Sequence, residues 1–398
     1  MVEVLFALGL VVAVFVGFNI GGSSTGVAFG PAVGSNTLTK LSAAALMTVF
    51  ALAGGLLVGP AVVKSLGSDL VATQFSPLVS IVVLFFIGTA LFLSNVAGVP
   101  ASTSMTAVGA IAGLGLAEQT LNEGLMLEIV SWWLVSPIIA FWVSGVIGRY
   151  FYPTLVEWFA VSQSEGALVT VDRSGTIPRV ELGDNTTPRE FVGTAVVIGI
   201  GCYMGFSAGA SNVANAVAPL VGNGSLDLYP AILLGGGAIG LGAFTIARRT
   251  MDTVGNDLTD LPLVAAIVVA AVASTIVTFL SALGIPASFV IIATMSIVGL
   301  GWGRATRTTT LSETVKGEVP AASVGSLTAD PAPTVGDRTG NPPPEDHEPI
   351  GKESREDIPT ASDLFEPGTT ARVIFLQNVV PSIATVAAYL VFRYLPIA

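Results

Sequence analysis

The sequence predicts an all-α polytopic membrane protein with an internal duplication, two broken helices and two candidate re-entrant hairpins. Three observations carry this. Of 398 residues, 52% are hydrophobic and 11% charged, with a mean hydropathy of +0.79, whereas a soluble domain has about a quarter of its residues charged. The apolar residues fall in runs of about 20, the length that spans a ~30 Å hydrocarbon core. Finally, the chain repeats itself, motif after motif, in the same order.

The candidate spans are 4–21, 38–60, 78–97, 126–150, 190–207, 229–247, 262–283 and 372–395. Two more apolar stretches, 100–117 and 286–303, follow the spans before them too closely to read as ordinary crossings. The first run opens "MVEVLFALGL", without a basic n-region or a small-residue cleavage site, so it reads as a retained helix. Cys202 and His347 are the only residues of their kinds, which excludes an internal disulfide and a Cys/His metal cluster. The spans contain no Ser/Lys or Ser/His dyad and no Asp pair, so the chain is not expected to be an enzyme. Trp132 and Trp133 read as packing or interfacial anchors.

The net charge of −11 resides almost wholly in the loops, and only Lys40, Lys64, Lys316 and Lys352 are lysines. Acidic, lysine-poor loops suit a very salty surrounding, where repulsion is screened, and point to a halophilic source. A nucleic-acid partner is not expected, because no basic patch exists.

Polar stretches divide the chain. Residues 1–152 form a first membrane repeat, 153–189 a polar connector able to form short strands, and 190–303 the main part of a second repeat. An acidic, Pro-rich loop follows at 304–370, with too little apolar surface to offset ordering entropy, so it is expected to be disordered. The final helix of the second repeat is 371–398.

The repetition is specific. An offset of 188 residues lays "GFNIGGSSTGVAFGPAVG" (17–34) over "GFSAGASNVANAVAPLVG" (205–222), matching Gly21 with Gly209, Ser23 with Ser211 and Pro31 with Pro219. The same offset pairs "SLGSDL" (65–70) with "TVGNDL" (253–258). An offset of 186 pairs "GVPASTSMTAVGAIAGLGL" (98–116) with "GIPASFVIIATMSIVGLGW" (284–302). Pro137 and Arg149 mirror Pro381 and Arg393. Duplicated halves in a membrane protein point to a transporter with its site where they meet. Whether the halves are inverted depends on whether 98–117 and 284–303 cross or turn back.

Backbone amides in hydrocarbon must be bonded, so a broken helix belongs where it lines a cavity. Gly-rich sequence beside Ser and Asn, followed by Pro31 or Pro219, predicts interruptions near Gly21–Ser24 and Gly209–Asn212. A half-helix starting at each break would offer free N–H groups and a positive dipole end to an anion. Candidate ligands are Ser23, Ser24 and Thr25 in the first half, and Ser211, Asn212 and Asn215 in the second. Their oxygens would equally suit a small hard cation, with Asn19, Ser24, Asn212 and Asn215 as possible sodium ligands. In "VPASTSM", Pro100 precedes Ser102, Thr103 and Ser104, as where a re-entrant helix restarts with its amides capped. The second hairpin keeps only Ser288, followed by Phe289 and Val290, so the first should supply more ligands.

These motifs resemble those of the inorganic phosphate transporter family, the PiT type of ion-coupled permease. Its members carry two "GANDVANA…GP" elements, each followed by a "PVSTTH…VG" hairpin. "GASNVANAVAPLVG" from Gly209 is similar nearly residue for residue, and "GGSSTGVAFGPAVG" from Gly21 is a more diverged match. The resemblance implies an inverted repeat, re-entrant hairpins, a phosphate site flanked by sodium ions, and a homodimer. The family's Asn-Asp pair falls on Ser23–Ser24 and on Ser211–Asn212, so both acids are absent here, and the hairpin His is Met105.

The expected function is therefore secondary transport of inorganic phosphate across the cell membrane by alternating access, coupled to sodium uptake, with no other cofactor. Sulfate, another oxyanion or uncoupled flux is the alternative. The lost acids would have accepted the proton that phosphate carries and sulfate lacks.

Overall fold

The computed structural model describes residues 2–34, 37–96, 102–159, 169–172, 179–182, 187–247, 263–305 and 367–395. The expected disordered loop lies almost wholly outside these residues, as do the "TVGNDL" element and the 98–101 hairpin tip. The first half contains α1 (Val2–Gly34), α2 (Lys40–Leu57), α3 (Gly59–Lys64), α4 (Pro77–Val96), α5 (Thr103–Glu118), α6 (Glu123–Val146) and α7 (Tyr152–Phe159). In the connector, β1 (Val169–Asp172) and β2 (Arg179–Leu182) pair antiparallel, with Val169 opposite Leu182. The second half contains α8 (Pro188–Gly222), α9 (Leu228–Thr245), α10 (Leu263–Ala282), α11 (Phe289–Ala305) and α12 (Pro367–Tyr394). Among the described residues, seven helices are long and apolar enough to cross a membrane.

The helix pairings recur between the halves. α1 packs on α9 as α8 packs on α2, α1 on α4 as α8 on α10, and α5 on α12 as α11 on α6. The equivalent helices α1 and α8 lie antiparallel, with Gly9 against Leu220 at one end and Phe29 against Gly201 at the other. Hydrogen bonds from Ala72 N to Thr120 O and from Asn122 N to Leu70 O (both 2.9 Å) close the base of the α4–α5 pair. That base lies at the end where Ser80 Oγ donates to Pro219 O. The base of the α10–α11 pair lies at the opposite end, where Val264 and Leu300 cluster with Ala32, Tyr152 and Val197. Both pairs thus reach toward the middle of the α1–α8 core from opposite ends.

The breaks expected at Gly21–Ser24 and Gly209–Asn212 are absent: α1 and α8 run through them without interruption. In α1, Ser23 and Thr25 bond back onto their own helix instead. Thr25 Oγ1 donates to Gly21 O at 2.7 Å, and Ser23 Oγ to Ile20 O at 3.1 Å. The glycines serve close approach. A Cβ on Gly21 would strike the backbone of Ile239, and one on Gly209 the backbone of Ala51, as small residues permit in membrane helices. At about 1.5 Å per residue α1 and α8 are each about 50 Å long, so each crosses a bilayer with residues to spare.

Candidate anion chamber

A small chamber opens between the two long helices and the starts of α5 and α11. Ser23, Ser24 and Val27 line it from α1, Met204, Ala208 and Asn212 from α8, Ser102 and Thr103 from the first hairpin, and Ser288, Phe289 and Val290 from the second. Measured by the centre of a water-sized sphere its volume is about 30 Å³, by that measure room for about two waters or one small ion.

The helix N-termini that α1 and α8 do not supply come from α5 and α11. Ser102 caps α5 by accepting from Met105 N at 3.3 Å, and Ser288 caps α11 by accepting from Ile291 N at 3.4 Å. Each cap keeps its own hydroxyl hydrogen. The first amides of a helix have no acceptor within it, so the N–H groups of Thr103, Ser104, Phe289 and Val290 are available as well. Phe289 and Val290 therefore still offer backbone donors where the second hairpin has lost its hydroxyls. Each N-terminus carries roughly +0.5 of a charge, which favours an anion.

Asn212 is held in one orientation. Its Oδ1 accepts from Thr103 Oγ1 at 2.6 Å and from Asn215 Nδ2 at 3.2 Å, which fills both lone pairs. Ser104 Oγ stands 3.4 Å from the same oxygen and 3.2 Å from Ser211 Oγ, and Ser211 also donates to Ala287 O. With its oxygen so occupied, Asn212 presents its NH₂ group to the chamber. No Asp, Glu, Lys or Arg among the described residues lines the space. Donors outnumber acceptors there. The Ser102 and Ser288 hydroxyls, the Asn212 amide and the first amides of α5 and α11 can donate. Ser23 and Thr103 have given their hydrogens to Ile20 O and Asn212 Oδ1 and can only accept.

Of the ten sequence-predicted ligands, Ser23, Ser24, Ser102, Thr103, Asn212 and Ser288 line the chamber. Ser104, Ser211 and Asn215 stand behind Asn212 as buried supports, and Thr25 is bonded to its own helix. Of the four possible sodium ligands, Ser24 and Asn212 line the chamber and Asn215 bonds Asn212, while Asn19 does not line it. Asn19 accepts from Asn95 Nδ2 at 3.1 Å, Asn212 has its oxygen filled, and Ser24 faces the chamber. Sequence reasoning missed Trp133, whose Nε1 donates to Pro286 O at 2.8 Å and so holds the turn before α11. A tryptophan in an apolar run gives no sign of such a distant partner.

Residues 20–324 match the sequence profile of the phosphate transporter family. The chain belongs to that family. Sulfate permease CysP of Bacillus subtilis is 30% identical over 296 residues, covering 73% of this chain and 76% of that protein. A "Putative phosphate permease" of Pyrococcus furiosus is 23% identical over 360 residues, covering 74% of this chain and 87% of its own. A solved structure described as "The sodium-dependent phosphate transporter" aligns with a TM-score of 0.65 at 17% identity, covering 98% of this chain and 100% of that one. It shows the same fold. As a member of this family of transporters, the chain is a multi-pass protein of the cell membrane and not an enzyme.

Proposed function

We propose that the protein is a secondary transporter of tetrahedral oxyanion dianions, with sulfate preferred, cycling by alternating access of its two halves, residues 1–152 and 190–398. The observation that carries this is the saturated Oδ1 of Asn212 in a chamber that no carboxylate of the described residues lines. Sulfate needs donors only, and donors predominate in the chamber, with the Ser23 and Thr103 hydroxyls the neutral acceptors among its side chains. Monohydrogen phosphate brings a proton that wants an acceptor. A serine hydroxyl can serve, so the chamber ranks the two anions without shutting phosphate out. The 30% identity to a sulfate permease supports the same order.

Phosphate is the second reading, favoured by the family to which the chain belongs. Sodium is the coupling ion in either case, and the transporter works as a homodimer. Acidic loops fit a salt-rich habitat, where a weak neutral-ligand sodium site still fills by mass action.

The test is competition of labelled anion uptake into proteoliposomes by unlabelled sulfate or phosphate, with sodium and then potassium as the only cation. Sulfate is expected to compete at lower concentration, and uptake to fall when potassium replaces sodium. Stronger competition by phosphate reverses the ranking. No uptake of either anion ends the transport reading.

A further inference from the structure

The chamber has two faces of opposite chemistry, and the internal repeat shows where they part. The 186-residue offset pairs Thr103 with Phe289 and Ser104 with Val290, and the 188-residue offset pairs Asn215 with Val27. In one set of positions the side chains form a polar network. Thr103 and Asn215 donate to Asn212 Oδ1, and Asn215 Nδ2 stands 3.3 Å from Ser104 Oγ as well. In the other set Val27, Phe289 and Val290 are half-buried and line the open space. Equivalent positions are thus polar in one copy and apolar in the other.

The two faces are stacked along the long helices. α1 and α8 are antiparallel, and the contacts of Gly9 with Leu220 and of Phe29 with Gly201 fix their register. That register sets Asn212 about level with Phe18 of α1, and Met204 about level with Gly26. Met204 therefore lies about 12 Å from Asn212 along the axis, beside Val27 and Ala28. Thr103 and Ser288 share the Asn212 end, since Thr103 bonds Asn212 and the neighbouring Ala287 O accepts from Ser211. Ser23 and Ser24 stand between the ends.

Donors crowd the Asn212 end. The Ser102 and Ser288 hydroxyls, the Asn212 amide and the first N–H groups of α5 and α11 all belong to it. Among the described residues the far end is formed by Val27, Ala28, Met204 and Ala208, whose backbone amides are bonded inside continuous helices. Of their side chains only the Met204 sulfur has any hydrogen-bonding capacity, and it is a weak acceptor. An anion with four equal oxygens places three among donors and presses the fourth on apolar carbon, stripped of water and unbonded. Such burial is costly. A ligand whose fourth corner makes no hydrogen bond escapes that cost.

Met204 indicates the kind of atom that suits this corner. A thioether is polarisable and packs well against soft, irregular surfaces. Replacing one oxygen of sulfate by sulfur puts a large, soft, weakly accepting atom there. It keeps three oxygens for the donors and the double negative charge that the helix N-termini favour.

We propose that the chamber takes substituted sulfate dianions, thiosulfate first among them, with three oxygens at the Asn212 end and the terminal sulfur against Met204, Val27 and Ala28. Sulfate stays ahead of phosphate, and thiosulfate stands ahead of sulfate. The proposal rests on the oxyanion reading of the chamber and adds the asymmetry of its ligand.

The experiment uses the full chain in proteoliposomes. Labelled sulfate uptake is competed by unlabelled sulfate, thiosulfate, selenate and phosphate, and uptake of labelled thiosulfate is measured directly. Selenate is a larger dianion with four like oxygens, so it separates size from the chemistry of one corner. Thiosulfate is expected to be taken up, and to compete at about one-fifth the concentration of sulfate, the worth of about one hydrogen bond. Selenate should compete no better than sulfate. Val290→Thr keeps the side-chain shape and adds a hydroxyl, and Phe289→Thr/Val290→Ser copies Thr103 and Ser104. Each should move the ratio of half-competing concentrations toward sulfate, by about fivefold in the double variant. Thiosulfate weaker than sulfate, selenate equal to thiosulfate, or a ratio unmoved in both variants overturns the proposal and leaves the oxyanion reading standing. Thiosulfate ahead of sulfate, with phosphate ahead of both, upholds the apolar corner and reverses only the sulfate–phosphate order. No uptake of any of these anions ends both readings.

Discussion

The hydroxyl of Thr103, at the start of the first hairpin helix, donates to Oδ1 of Asn212, in the middle of α8, across 2.6 Å. The two residues are 109 positions apart. This bond, with that from Asn215, decides which face of the Asn212 amide meets the chamber. Replacing Thr103 by Val removes the donor and frees the amide to turn. Half-saturating sulfate should rise about fivefold, in keeping with ~1 kcal/mol for a buried hydrogen bond. Thr103→Ser keeps the hydroxyl and should stay within about twofold. Sulfate uptake kinetics check both, and equal behaviour of the two variants would remove Thr103 from the positioning role.

Asn212→Asp tests anion choice directly. A carboxylate restores an acceptor for the phosphate proton and adds repulsion, about 4 kcal/mol per unit charge of the anion at ~4 Å and an effective dielectric of ~20. Sulfate uptake should fall more than phosphate uptake, so the phosphate-to-sulfate ratio rises at least about tenfold. Dual-label competition measures it. A ratio that stays put would mean Asn212 does not face the anion.

The caps make a paired test. Ser102 and Ser288 stand at equivalent starts of α5 and α11, but only Ser102 is followed by two further hydroxyl residues, Thr103 and Ser104. Ser102→Ala and Asn212→Ala should each cut uptake more than Ser288→Ala. Equal, small losses in all three would place the ligands elsewhere.

The membrane class, the spans and the duplicated motifs were legible because hydropathy and repetition are local properties of the chain. So were six of the residues that line the chamber, since Ser and Asn are conspicuous in an oily context. The continuity of α1 and α8 was not. A glycine that breaks a helix and a glycine that lets another helix touch it look alike in sequence, and only the partners, Ile239 for Gly21 and Ala51 for Gly209, tell them apart. The roles of Asn212, Asn215 and Thr103 as one network, and of Trp133 on Pro286, depend on distant contacts that no local pattern announces.

Trp133→Phe should expose the importance of that last contact. It keeps the aromatic bulk and removes the Nε1–H, leaving the Pro286 carbonyl without its donor at a cost of about 1–3 kcal/mol. Thermal unfolding should shift down, and sulfate uptake should slow through a loosened start of α11. Unchanged unfolding and uptake would make the bond incidental.

Gly209 gives the sharpest structural contrast. A Cβ there meets the backbone of Ala51, which cannot yield without separating α8 from α2. Gly199, on the same helix, has nothing within 4 Å of a Cβ. Intrinsic propensity favours Ala over Gly in a helix by about 1 kcal/mol, so Gly199→Ala should be neutral or slightly stabilising. In Gly209→Ala that gain is overwhelmed by overpacking, which typically costs about 1–3 kcal/mol. Thermal unfolding of the two purified variants should therefore shift in opposite directions. A shared upward shift would show that α8 and α2 have room to part, and would reopen the case for glycine as a helix breaker at this position.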